Sequence, residues 1–93
     1  MAVSRADRRE KREARVVEVF GTELAPRVLD LLELMELAWH DCYNEISPSE
    51  AIIDDILLLS NGELGRVIAV VRDAVMDWRD VRVAADQRRS WAQ

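Results

Sequence analysis

The stretch LGRVIAVVRDAVMDWRDVRVAADQR, Leu64 to Arg88, contains no proline and, after Gly65, no glycine. Its side chains recur at alternating steps of four and three: Leu64, Ile68, Val71, Val75 and Trp78, then Arg82 and Ala85. That is the spacing of one face of an α-helix. It predicts an unbroken last helix reaching Arg88 or beyond, a rod of about 38 Å at 1.5 Å per residue.

Working outward, Ser60 and Glu63 flank Asn61-Gly62 and read as a cap for this helix after the end of the preceding one. Ser47, Pro48 and Glu50 give the same signal earlier, with Ser47 as the cap, Pro48 at the first helical position and Glu50 reaching back. A third helix is therefore expected to run to about Leu59, with Ile52, Ile56 and Leu59 inward, Ile53 beside them, and Asp54 and Asp55 on a solvated face. Leu24, Val28, Leu31, Met35, Ala38 and Cys42, widened by Leu32 and Trp39, mark a second helix from about Pro26 to Tyr43, with Thr22 an alternative cap. Ser4 and Asp7 form a capping pair for a first helix over residues 5–20, stopped by Gly21.

The second and third helices come to about 27 and 18 Å, so a straight fourth helix overhangs its hairpin partner. Short links between helices imply antiparallel neighbours. The expected fold class is thus all-α, a small antiparallel helical bundle of three to four helices with a long C-terminal helix. One domain is expected over residues 1–93, with a charged helix or flexible arm over 1–15 and a helical core over 22–90.

Charge is unevenly spread along the 93 residues, whose net charge is −5. Residues 1–15 carry net +3, residues 16–65 net −10 with Arg27 as the single base, and residues 66–93 net +2. The basic head is expected to be solvated, or to dock on the acidic middle of a neighbouring chain. One cysteine, Cys42, forms no intrachain disulfide and suits a reducing, cytoplasmic compartment. The apolar runs are far short of the roughly 20 residues a membrane span needs, and the charged residues 1–15 do not resemble a secretory signal. Twelve Arg against one Lys suggest a bacterial, high-GC origin.

Several residues are candidates for function. Leu29, Leu34 and Leu37 fall on the otherwise charged side of the second helix, Leu58 off the stripe of the third, and Val70, Met76, Val81 and Val83 off that of the fourth. Such surplus apolar surface points to a partner, most simply a second copy of the chain. Arg82 interrupts the inward stripe of the last helix. It is either solvated past the end of the core or paired with an acidic group of the same or another chain.

The alternative partner is nucleic acid, contacted through Arg5, Arg8, Arg9, Lys11, Arg12 and Arg15. The interleaved Asp7, Glu10 and Glu13 and the lack of a stacking aromatic disfavour it. A helix-turn-helix frame over the last two helices would present Glu63 to Val71, which lacks base-reading side chains. Glu36 and His40, at i and i+4, could ligate one metal, but no second histidine completes a site. His40, Asp41 and Cys42 are consecutive and diverge around the helix, so they make no catalytic triad. Cys42 is expected in the core. The expectation is a non-enzymatic interaction or regulatory module without cofactor or metal, self-associating as a dimer through the long last helix and the off-stripe leucines.

Overall fold

In a computed structural model, residues 4–91 are described. They form four helices and no strand: α1 (Arg5–Phe20), α2 (Ala25–Tyr43), α3 (Glu50–Ser60) and α4 (Leu64–Trp91). The fold is an all-α bundle with a long C-terminal helix. The two ends of the domain expected over 1–93, residues 1–3 and 92–93, lie outside the described residues.

Local chemistry explains most boundaries. The Asp7 N–H donates to Ser4 Oγ at 3.1 Å, and the Ser4 N–H donates to Asp7 Oδ2 at 3.3 Å. Two otherwise orphaned donors at the start of α1 are thereby satisfied. Gly21 ends α1 at φ 84°, its N–H bonded to the Val17 carbonyl at 2.8 Å. α2 opens without a side-chain cap and with Pro26 in its first turn. Asn44 and Asn61 close α2 and α3 in left-handed conformations, φ 56° and 54°.

Two expected caps move. Ser49, not Ser47, caps α3, accepting from the Ile52 N–H at 3.3 Å. Glu50 does not reach back to its own backbone because two guanidinium groups of α1 claim its carboxylate. Ser60 is buried and donates to the Leu57 carbonyl at 2.6 Å, so it finishes α3 instead of starting α4. The turn after it presses on α1: a Cβ at Gly62 (φ 73°) would lie 2.9 Å from the Val19 carbonyl oxygen. Only glycine meets both demands.

One core joins all four helices, with Val16 and Phe20 from α1, Val28, Leu32, Met35 and Trp39 from α2, Ile53 and Ile56 from α3, and Val67, Val71 and Ala74 from α4. The Trp39 and Tyr43 rings stack obliquely, centroids 4.5 Å apart. Trp39 is buried, Trp78 half-buried and Trp91 exposed. The buried face of α2 is rotated from the expected one. It runs through Ala25, Val28, Leu29, Leu32, Met35, Glu36 and Trp39, and it leaves Cys42 exposed. The reason is that Glu36, a charge that hydropathy places outside, has partners inside.

The largest departure is in α4. Asp77 has φ −160° and ψ 101°, and two helical segments meet there. A straight 28-residue helix would be about 42 Å long, more than the longest dimension of the molecule, 38 Å. Instead, residues 78–91 fold back against α3. Arg82 reaches Asp55 at 3.0 Å, and Arg88 reaches Asn61, beside the start of α4, also at 3.0 Å. Val67, Val71 and Ala74 are buried before the bend, and Val81 and Ala85 after it. The far half of the helix, expected to overhang its hairpin partner, is met by α3 of the same chain because of the bend. No helix among the described residues is long and apolar enough to cross a membrane.

Candidate functional site

Arg5, Arg8, Arg12 and Arg15 continue along α1 the face on which Val16 and Phe20 enter the core. Arg12 and Glu36, each 2% exposed, form the centre of a polar cluster between α1, α2 and the start of α3. Glu36 Oε2 accepts from Arg12 Nη1 at 3.0 Å, from Arg8 Nε at 2.5 Å and from the Ser47 hydroxyl at 2.7 Å. Arg8 Nη2 reaches the other oxygen at 3.1 Å. Arg12 Nη2 donates to Glu50 at 2.9 Å and to Ser47 Oγ at 2.9 Å. Arg15 bridges Glu50 and Asp54. At the outer edge Arg9 pairs with Asp30 at 2.6 Å and Glu33 at 3.3 Å, and Arg5 lies 3.7 Å from Glu36.

The basic head and acidic middle therefore meet, but within one chain. Burial alone pushes the Glu36 carboxyl up. Hydrogen bonds from Arg8 and Ser47 and the charges of Arg12 and Arg8 outweigh it and hold the group below its ordinary value. Glu50 is likewise pushed up by burial and held down on balance by Arg12 and Arg15. Of the six residues read as nucleic-acid contacts, Arg8, Arg9, Arg12 and Arg15 are engaged with carboxylates of their own chain, Arg5 touches the cluster from its rim, and Lys11 is exposed. Glu36 has both oxygens occupied by cationic donors, whereas His40 is exposed beside Asp41. Among the described residues, no group of three or more metal-ligating side chains comes together.

A second buried carboxylate lies between α3 and α4. Asp55, expected on a solvated face, is 0% exposed. Arg82 donates to its Oδ2 at 3.0 Å. Arg89 lies 2.8 Å from Oδ1, held by charge and not by an aligned hydrogen bond. Arg82 thus pairs within the chain.

The residues read as a partner surface divide. Leu29 and Val81 are buried in the chain's own core and are corrected on that ground: rotation of α2 takes the first inward, and α4 buries Val67, Val71, Ala74, Val81 and Ala85 in place of the expected stripe through Ile68, which is exposed. Leu58 and Val70 are half-buried, while Leu34, Leu37, Met76 and Val83 are exposed. A cleft of about 280 Å³ groups Leu37 with Ile46, Arg5, His40 and Asp41. A second, of about 380 Å³, lies in the crook of α4, where Leu59, Val70, Val81 and Ala84 form an apolar floor beside Met76, with Asp73 and Asp80 at its sides. Sequence reasoning gave Glu36, Ser47 and Asp55 other roles and did not single out Asp77. For Asp77 a signal existed: Asp is a favoured N-cap, and its Oδ1 accepts from the Arg79 N–H at 3.1 Å as a cap does.

Comparison with protein-family models, with curated proteins and with solved structures finds no match to this chain.

Proposed function

We propose that this chain is a non-enzymatic interaction or regulatory module that acts as a homodimer, with Leu34 and Leu37 on α2 and the last helix at the contact. The observation that carries the reading is the exposed apolar surface of α2. Leu34, 63% exposed, and Leu37 three positions on share one face, and Ile46 adjoins Leu37 across the cleft. Clustered apolar side chains left in water favour contact with a partner. The rim carries both signs, with Arg5 and Asp41 lining the same cleft. Two copies related by a twofold axis can set Arg5 of each against Asp41 of the other. A cytoplasmic setting suits the exposed, unpaired Cys42.

Light scattering at tens of micromolar tests this directly. A dimer is expected, and Leu34→Glu combined with Leu37→Glu is expected to yield a monomer with helix content unchanged in circular dichroism, since both side chains are exposed. A monomeric parent chain sinks the reading. Salt-sensitive binding to duplex DNA that is lost in Arg5→Ala/Lys11→Ala would replace it with the nucleic-acid alternative.

A further inference from the structure

The bend in α4 is closed by two side chains. The Tyr43 hydroxyl lies 2.9 Å from the carbonyl oxygens of both Ala74 and Val75. In an unbroken helix those carbonyls take the N–H groups of Trp78 and Arg79. The Arg79 N–H goes instead to Asp77 Oδ1. Bent and straight forms therefore satisfy these backbone groups by different means, Tyr43 and Asp77 in one and the helix itself in the other.

Nothing else in the sequence requires the break. No glycine or proline occurs between Arg66 and Trp91. Val67, Val71, Ala74, Trp78, Val81 and Ala85 keep a 4-3-4-3-4 spacing across Asp77, so they remain on one face if the helix straightens. Straightening would carry residues 78–91 off α3 and strip the buried Asp55 of Arg82 and Arg89. The segment that fits the vacated surface is residues 78–91 of another copy, because it presents the same side chains.

We infer that Asp77 is the hinge of a reciprocal exchange. In the exchanged dimer α4 runs straight through Asp77, and residues 78–91 of each chain cover α3 of the other, with Arg82 and Arg89 meeting the Asp55 opposite. The contacts that these residues make with α3 in the bent chain are remade between chains, and helical continuity is gained at both hinges. A connection of one residue leaves little slack to form the bend, the circumstance that favours exchange. This rests on the self-association proposed above and specifies how the last helix takes part in it.

The test is the molar mass, by light scattering, of hinge variants at tens of micromolar. Asp77→Ala removes the cap and supplies a strong helix former. It is expected to tighten dimerisation by about tenfold or more with helix content undiminished in circular dichroism. Tyr43→Phe is expected to act in the same direction, more weakly. Insertion of Asn-Gly between Met76 and residue 77 lengthens the hinge and is expected to return Asp77→Ala/Leu34→Glu/Leu37→Glu to a monomer. The Leu34→Glu/Leu37→Glu pair placed in Asp77→Ala should leave the exchanged dimer standing, which separates this inference from the α2 contact. A monomeric Asp77→Ala protein overturns the inference. So does an Asp77→Ala/Leu34→Glu/Leu37→Glu dimer that survives the Asn-Gly insertion, since a surface contact needs no hinge.

Discussion

Glu36 and Asp55 are both carboxylates folded away from water, met by three and by two guanidinium groups, yet they fasten different kinds of joint. Around Glu36 the partners Arg8, Arg12 and Ser47 are themselves mostly enclosed, and the first ten residues of α1 contribute only Ala6 and Ala14 as apolar side chains, both exposed. Charge is nearly the whole attachment of that half-helix. Around Asp55 the joint is apolar first: Ile53, Ile56 and Leu57 of α3 pack with Val67, Val71, Val81 and Ala85 of α4. Arg82 and Arg89 keep more than a third of their surface in water. There the ion pairs set register on a contact that burial already supports.

Acid should expose this difference most strongly. Glu36 and Glu50 are held below their ordinary value of 4.5, so their contribution is complete above that pH and is lost as pH falls through the lowered folded values. Amide-exchange protection across residues 5–15, relative to the intrinsic rate at each pH, is expected to fall on acidification before that of α3 and α4. Simultaneous loss would show that the α1 joint is no weaker than the other.

Among single substitutions, Glu36→Ala should cost most, about 3–5 kcal/mol in urea unfolding, because it leaves Arg12 buried with one of its two carboxylates gone. A loss under about 1 kcal/mol would mean that α1 is held by something other than charge. Asp55→Asn should cost less, about 1–3 kcal/mol, since Arg82 and Arg89 can turn to solvent. A loss equal to that of Glu36→Ala would erase the contrast drawn above. Arg9→Ala removes only surface pairs with Asp30 and Glu33 and should change stability by about 0–1 kcal/mol.

How far the fold was legible depended on whether each signal was local. Ser4, Asp7, Gly21 and the Asn61-Gly62 turn act through neighbouring backbone, and the helix ends they imply are found within a residue or two. The face of α2 was misjudged because hydropathy treats Glu36 as an outside residue whatever lies opposite. Its partner Arg12 is 24 positions away. The complementarity of basic head and acidic middle was visible, but composition carries no information on whether opposite charges meet in one chain or between two. The bend was hidden for another reason. Because the stripe from Val67 to Ala85 keeps its phase across Asp77, periodicity is the same for a rod and for a rod folded in two. Only the capping chemistry of Asp77 distinguished them. Leu34 and Leu37, off the stripe in the sequence, are exposed, whereas the burial of Leu29 and Val81 follows only from the helix orientation in the fold.

The three tryptophans occupy three depths, and this gives the molecule an optical read-out of its own. Trp39 should emit in the blue from the core, and Trp91 in the red with or without a folded chain. Trp78, one residue past Asp77, lies between them. A spectral change at constant helicity would therefore belong chiefly to Trp78 and report movement at the hinge, while a red shift that accompanies loss of helicity would belong to Trp39 and report melting. Replacing Trp91 by Phe would remove the invariant background without touching either reporter.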